Sequence, residues 1–235
     1  MRLLTPPGVF RPISDTWLLA RALEREGLTP GARVLDLCSG SGALAVHAAL
    51  GGPRAVTAVD VSRRAALTIR ANAALNGVRV RVRRGDLFGA VAGERFDAIV
   101  SNPPYVPAPT DELPSRGLER AWDAGRDGRA LLDRICAGAA AHLRPGGRVL
   151  VVHSSLLGIG PTVATLEAAG LETAVVARER GPLGPLMRRR REHLEAAGML
   201  RPGQDDEEVV VVRGSAAAPQ SPVRALKPGA SRTRM

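Results

Sequence analysis

Val34-Leu35-Asp36-Leu37-Cys38-Ser39-Gly40-Ser41-Gly42-Ala43-Leu44-Ala45 runs from an apolar strand through a glycine-rich turn into the start of a helix. Glycine permits a tight turn and a close approach of backbone to a ligand. Strand, turn and helix in this order form the phosphate or nucleotide cradle of α/β proteins. The Gly-x-Gly-x-x-Ala core fits a dinucleotide as well as other nucleotides, so the choice of ligand rests on the flanking chain.

Outward from this turn the sequence alternates short apolar runs with amphipathic stretches. The runs lie at 33–37, 55–59, 78–82, 96–100, 148–152, 171–176 and 208–212; the helical patterns lie near 42–50, 62–76, 127–143 and 158–169. Such alternation implies an α/β, Rossmann-like sheet of seven strands, mostly parallel, with helices on both faces. Before it, Ser14 or Asp15 can cap a helix reaching about Gly27, with Trp17, Leu18 and Leu23 on its apolar face. Two stretches break the rhythm: a Pro- and Gly-rich loop at 101–125, and a segment at 182–206 with four consecutive arginines at 188–191. Long loops of the first kind are commonly functional. One domain over 1–213 is expected, and 214–235, without periodicity, reads as a disordered tail.

Three carboxylates fall at successive strand ends, the place where open α/β sheets bind ligands. Asp36 precedes the turn and can meet an ammonium group; Asp60 ends the second strand and can accept two ribose hydroxyls. Asp86, after the third strand, can accept an adenine amino group while Leu87 packs on the ring. A nicotinamide enzyme has no need of the Asp86 position, so the set points to S-adenosylmethionine (SAM), with Cys38, Gly40 and Gly42 forming the turn around it. Cys38 reads as a small buried filler rather than a nucleophile.

The fourth strand runs into Asn102-Pro103-Pro104-Tyr105. Proline fixes φ and removes a backbone donor, which leaves carbonyls free to accept. The Asn102 side-chain oxygen and the Pro103 carbonyl can then hold both hydrogens of a planar –NH2 group, with Pro104 stiffening the loop and Tyr105 packing on the plane. An amide or aromatic amine has its lone pair in a π-system; orientation by two fixed acceptors is the chemistry it needs. The expected activity is methyl transfer to such a nitrogen.

Composition adds limits. The 235 residues carry a formal charge of +10, but Lys227 is the only lysine, and an Arg-, Ala-, Gly- and Pro-rich chain is also what GC-rich coding produces. The 188–191 arginines leave contact with RNA or the ribosome open. The two cysteines, Cys38 and Cys136, are too few for a disulfide framework or a zinc site, so no metal is expected. Pro6 and Pro7 interrupt the amino-terminus before a leader core forms, and no apolar run is long enough to span a bilayer, so the chain reads as cytoplasmic.

These motifs together resemble the HemK family of protein glutamine N-methyltransferases, which modify the Gly-Gly-Gln glutamine of translation release factors. The resemblance covers about residues 5–213 and is to the short branch, without an amino-terminal helical domain. Val9-Phe10-Arg11-Pro12-Ile13-Ser14-Asp15-Thr16-Trp17-Leu18-Leu19 is similar to that branch's Pro-x-x-Asp-Thr lead-in. The resemblance implies a class I methyltransferase fold and SAM contacts from Thr16, Asp36, Gly40, Asp60, Asp86, Leu87 and Asn102. It also implies that residues 102–105 hold the substrate amide and that Trp122 to Arg134 lies beside it. It implies a protein substrate such as a release factor, with lysine as a second acceptor, and, from other lineages, a small zinc-binding activator protein. Cys38 stands where the family has glycine, and Ile13-Ser14 replaces a more acidic lead-in. The third apolar run, alternating Val and Arg, reads as an outermost strand that could take such a partner. Two other readings stand: transfer to an adenine or guanine amine of DNA or RNA, for which no recognition domain remains, and a non-catalytic SAM-binding scaffold.

Overall fold

In the computed structural model, which describes residues 1–27 and 31–218, strands β1 (Arg33–Leu37), β2 (Ala55–Asp60), β3 (Arg81–Arg84), β4 (Phe96–Ser101), β5 (Leu143–Ser154), β6 (Glu172–Pro182) and β7 (Asp206–Ser215) form one sheet. Their order is β3-β2-β1-β4-β5-β7-β6. The pairs β1/β2, β1/β4, β2/β3 and β4/β5 are parallel, and β7 is antiparallel to both β5 and β6. The helices are α1 (Ser14–Arg25), α2 (Ala43–Leu50), α3 (Arg63–Leu75), α4 (Ala130–Ala139) and α5 (Ile159–Ala168), with short α6 (Pro185–Arg189) and α7 (Arg191–Ala196) inserted between β6 and β7.

Strand side chains alternate between faces, and both faces are apolar. Val34, Ala98, Val100, Leu150 and Val152 pack with Leu19, Leu44 and Ile69 of α1, α2 and α3. Leu35, Leu37, Ile99, Val149 and Val151 pack with Leu132, Ile135 and Leu166 of α4 and α5. A side chain of this size, fully buried, contributes about 1.5–3 kcal/mol, so the central strands are the rigid part of the molecule. The sheet order reverses between β1 and β4, which pair Leu37 with Ser101 at their carboxyl ends. Connections leave in opposite directions there, opening a crevice above the strand ends.

Several expected boundaries move. The third strand starts at Arg81, not Val78, because the Val78 N–H closes α3 by donating to the Ala73 carbonyl at 3.0 Å, a helix-ending pattern with Gly77 at φ 66°. It is the edge strand expected. Neither Ser14 nor Asp15 caps α1: Ile13 is the cap, and Asp15 is buried in the first turn, taken up by tertiary contacts. The expected tail begins too early at 214. Gly214 and Ser215 pair with Val149 and Arg148, and the Ala216 N–H donates to the Gly147 carbonyl at 2.8 Å. The rest of that tail, 219–235, lies outside the described residues. Among the described residues no helix is long and apolar enough to cross a membrane.

Candidate active site

A cleft of about 1060 Å³ opens over the carboxyl ends of β1, β2 and β4. Thr16, Cys38, Gly40, Asp60, Asp86, Leu87, Asn102, Pro103, Pro104 and Tyr105 all line it. Asp36 and Gly42 do not line it.

The turn after β1 is tied to the end of β2. The Ser39 hydroxyl donates to the Asp36 carbonyl at 2.7 Å and accepts the Val59 N–H at 3.1 Å. Asp60 accepts the Gly40 N–H at 2.9 Å and the Ser62 N–H at 2.8 Å, one on each carboxylate oxygen. Burial raises the Asp60 carboxyl above its ordinary range; the two N–H donors and the Arg120 charge oppose it. Cys38 has φ 55° and Leu87 φ 44°, the only positive values among the described non-glycine residues, and both face the cleft. The backbone at 38 is left-handed, a conformation that favours glycine and fits the glycine that the resemblance implies there. Burial pushes the Cys38 thiol far up, which suits a filler and not a nucleophile.

Asp36 departs from its expected place. Strand alternation puts it on the Val34 face, under α2, where it is fully buried. One oxygen accepts the Ala45 N–H at 3.1 Å and Oδ1 has no partner. Burial raises its carboxyl to about 8, with Asp60 adding and Ser39 and the Ala45 N–H opposing. Gly42 likewise serves the turn from behind: its φ is 79°, and a Cβ there would meet the buried Ile69 side chain at 3.0 Å. Asp86 stays at the exposed rim, paired with Arg134 at 2.6 Å.

At the other end, the Asn102 amide nitrogen donates to the Thr16 hydroxyl at 3.1 Å, which leaves Asn102 Oδ1 to accept. The Tyr105 hydroxyl donates to the buried Asp15 carboxylate, and burial with that charge holds the phenol well above its usual range. The 101–125 loop returns on itself: the Val106 N–H donates to the Trp122 carbonyl at 2.7 Å and the Ala124 N–H to the Val106 carbonyl at 3.1 Å. Gly128 then abuts the Tyr105 carbonyl, which a Cβ would meet at 2.5 Å. Buried Arg129 anchors this segment, donating to the Leu157 and Gly158 carbonyls at 3.1 and 3.2 Å and to Asp133 at 2.5 Å.

Three elements of the wall were missed by reading the sequence. Asp15 was read as a cap and as part of the Asp-Thr lead-in, not as the partner of Tyr105. Arg120 sits in the loop that covers Asp60. Glu207 comes from the start of β7, and Leu183, Leu186 and Met187 come from the β6–β7 insertion, far along the chain. Alternation along β7 was the one available signal for Glu207. Half of the arginine run is tied down: Arg190 pairs with Asp123 at 3.2 Å, and Arg191 pairs with Asp205 at 2.5 Å and Glu195 at 3.3 Å, whereas Arg188 and Arg189 are exposed.

Residues 1–113 match the family model described as methyltransferase small domain. A Methanocaldococcus jannaschii protein provisionally named a protein N5-glutamine methyltransferase is 34% identical over 187 residues, spanning 80% of this chain and 93% of the relative. The chain belongs to the protein glutamine N5-methyltransferase family. A release factor glutamine methyltransferase of Bordetella pertussis is 44% identical over 155 residues, 63% of this chain and 57% of that protein. The methyltransferase thus spans a little over half the length of that relative. In fold it is similar to a chain of the E. cuniculi Mtq2–Trm112 complex, which methylates the eRF1 translation termination factor, with TM-score 0.61 and 23% identity over 89% of this chain and 99% of the other.

The enzyme is a SAM-dependent methyltransferase. Its cleft fits that cofactor: a Cβ on Gly40 would meet nothing within 4 Å, so the turn backs onto open space. Around that space stand a hydroxyl at Thr16, carboxylates at Asp60 and Asp86, and an apolar side chain at Leu87.

Proposed function

We propose that this enzyme methylates the side-chain amide nitrogen of a glutamine in a protein of the translation machinery, a release factor first. The observation that carries the reading is Asn102-Pro103-Pro104-Tyr105 on the cleft wall at the end of β4, with Asn102 turned by Thr16 so that Oδ1 is free to accept. When bound, SAM supplies a methyl group on a positively charged sulfur. The chain's own residues orient the acceptor. Asn102 Oδ1 and the Pro103 carbonyl take the two amide hydrogens and hold the –NH2 plane, and Tyr105, pinned by Asp15, closes one side. This placement lets the nitrogen lone pair leave the amide π-system toward the methyl carbon. Held by Thr16, Gly40, Asp60, Asp86 and Leu87, SAM would supply the methyl group to this nitrogen, and a proton at Asn102 Oδ1 or the Pro103 carbonyl would pass to solvent once the nitrogen carries the methyl.

The named activities of the relatives support a glutamine in a release factor as acceptor. The pairing of Arg190 and Arg191 with Asp123 and Asp205 takes half of the arginine run away from nucleic acid phosphates, and the exposed Arg188 and Arg189 are the part that nuclease treatment tests. We assign Thr16, Gly40, Asp60, Asp86, Leu87 and Asn102 to SAM. Asp36, Cys38 and Gly42 shape the turn beneath it. A small zinc-binding activator is proposed at the β3 edge, whose outer side is unpaired in this sheet.

The test is transfer from methyl-labelled SAM into cell extract. Label should be removed by protease, resist nuclease, and be recovered as N5-methylglutamine. Label removed by nuclease alone refutes the assignment.

A further inference from the structure

Residues 2–4 form no strand or helix of their own, yet they are fastened twice to α3. The Leu4 N–H donates to Asn72 Oδ1 at 2.7 Å, and Asn72 Nδ2 donates back to the Leu4 carbonyl at 2.9 Å. Asn76 does the same for Arg2, at 2.8 and 2.6 Å. The spacing fits. Residues 72 and 76 stand one turn apart, about 6 Å along a helix, and residues 2 and 4 of an extended chain are about 6.6 Å apart. Each asparagine amide thus exchanges both hydrogen bonds with one residue of the lead-in, as the facing residue of a neighbouring strand would.

Asn72 has a third contact. Its side chain is fully buried, and Nδ2 also donates to the Ser41 carbonyl at 2.8 Å. Ser41 belongs to the glycine turn after β1 and lines the cleft. Beyond Leu4 the lead-in turns: the Val9 N–H donates to the Pro6 carbonyl at 3.1 Å, and Arg64 donates to the Pro7 carbonyl at 3.3 Å. Residues 8–14 then form part of the cleft wall before α1 brings in Thr16. One buried amide therefore fastens two walls of the same cleft. Packing alone does not ask for it. Asparagine is a poor helix former, and Ala65, Ala66, Ile69 and Ala73 supply the buried apolar face of α3. Asn72 itself stands outside the cleft lining.

We propose that Asn72 is a positioning residue for the cofactor: it holds the lead-in and the glycine turn at a fixed separation, with Asn76 as a second fastening for the lead-in. The inference rests on the proposed placement of SAM against Thr16, Gly40 and Asp60. It gives α3 two tasks. Its amino end meets Asp60 through the Ser62 N–H, and its middle sets how far the facing wall stands from the turn. Helix α1 is held separately, by its own buried Leu18, Leu19 and Leu23, so loss of the fastening acts on residues 2–13 and on the turn.

The experiment uses the full chain and SAM. Leu4→Pro deletes the N–H that Asn72 accepts, at a side chain that is 52% exposed, and spares the core and the Ser41 contact. Asn72→Ala removes both. Calorimetry on folded protein should show the SAM Kd raised about threefold in Leu4→Pro and about tenfold or more in Asn72→Ala, with the melting temperature of Leu4→Pro unchanged. Without SAM, hydrogen exchange at the Val9, Phe10 and Arg11 amides should quicken in both variants. In the unaltered protein SAM should slow it. Should Asn72→Ala fail to fold, Leu4→Pro decides. Asp60→Ala separates the two readings. An unchanged SAM Kd in Asp60→Ala overturns the placement of SAM and the proposal with it. A weakened Asp60→Ala beside an unchanged SAM Kd in Leu4→Pro, or beside an Asn72→Ala that loses melting temperature but not SAM affinity, overturns the positioning role alone.

Discussion

Two glycines in one turn, Gly40 and Gly42, give opposite outcomes when each is replaced by alanine. Both have left-handed backbones, at φ 53° and 79°, which an alanine adopts at a cost of about 1–2 kcal/mol each. Beyond that they differ. The Cβ of Ala at 42 would stand 3.0 Å from two carbons of Ile69, whose side chain is fully buried and cannot swing away. Overpacking of this kind adds about 1–3 kcal/mol. Gly42→Ala should therefore lose about 2–5 kcal/mol, a Tm fall of roughly 5–15 °C in a chain of this size. Its SAM affinity, measured on the folded protein, should change little. The Cβ of Ala at 40 meets nothing within 4 Å but projects into the cleft. Gly40→Ala should cost only the backbone term in stability, while SAM affinity falls about tenfold or more, about 1.4 kcal/mol. Urea unfolding without cofactor and calorimetric titration with SAM measure the two quantities separately. Undiminished SAM binding by Gly40→Ala, with a stability loss equal to that of Gly42→Ala, refutes the reasoning that this turn cradles the cofactor.

Asn102→Ala should lower turnover by about 10²–10³-fold, as expected when a fixed polar contact to the reacting group is lost, while SAM affinity stays within about tenfold; single-turnover assays with calorimetry check both. Arg129→Ala removes donors from two buried carbonyls and from Asp133 and should destabilise the fold by about 3–5 kcal/mol, measured by urea unfolding. His153 is buried, bonded to Thr162 and the Ser154 carbonyl, and burial lowers its pKa from 6.5 to about 4. The unfolded chain takes up that proton first, so the His153 contribution is intact above pH 6.5 and is lost as pH falls toward 4, to a limit of about 3 kcal/mol. Asp36, raised to about 8, works in the other direction and costs stability as pH rises from 3.8 to 8. A difference curve between the unaltered protein and His153→Gln isolates the histidine; a flat difference between pH 4 and 7 contradicts its burial as a neutral ring.

The cofactor end of the cleft was legible because its parts are local. Apart from Thr16 on α1, each residue proposed to hold SAM lies at or just past the end of a parallel strand, and the strands announce themselves as Val- and Leu-rich runs. The glycine turn, Asp60 and Asp86 needed only the rule that parallel sheets bind ligands at their carboxyl ends. That rule gives an address along the strand but not a facing direction, which is why Asp36 was misplaced. It is two residues beyond Val34 and must share its face, so its carboxylate belongs to the first turn of α2. The β3 start was misjudged for a comparable reason: Val78 fits a strand by type, but its N–H ends α3.

The acceptor end is the opposite case, since its contacts join segments that are remote in the chain. Tyr105 is held by Asp15, 90 positions away, and Asn102 by Thr16, 86 positions away. Glu207 joins them only because β7 folds back antiparallel between β5 and β6. The insertion closes on the same loop through Arg190 to Asp123 and through His193 to the Arg126 carbonyl at 3.2 Å. None of these pairings has a sequence period to announce it. The division has a physical consequence. Apart from Thr16, the proposed SAM end rests on the ends of the parallel strands. The substrate end depends on α1, the 101–125 loop and the β6–β7 insertion meeting correctly. If the proposed function holds, changes in the insertion are expected to alter KM for the polypeptide while the parallel strand ends keep the cofactor turn in place.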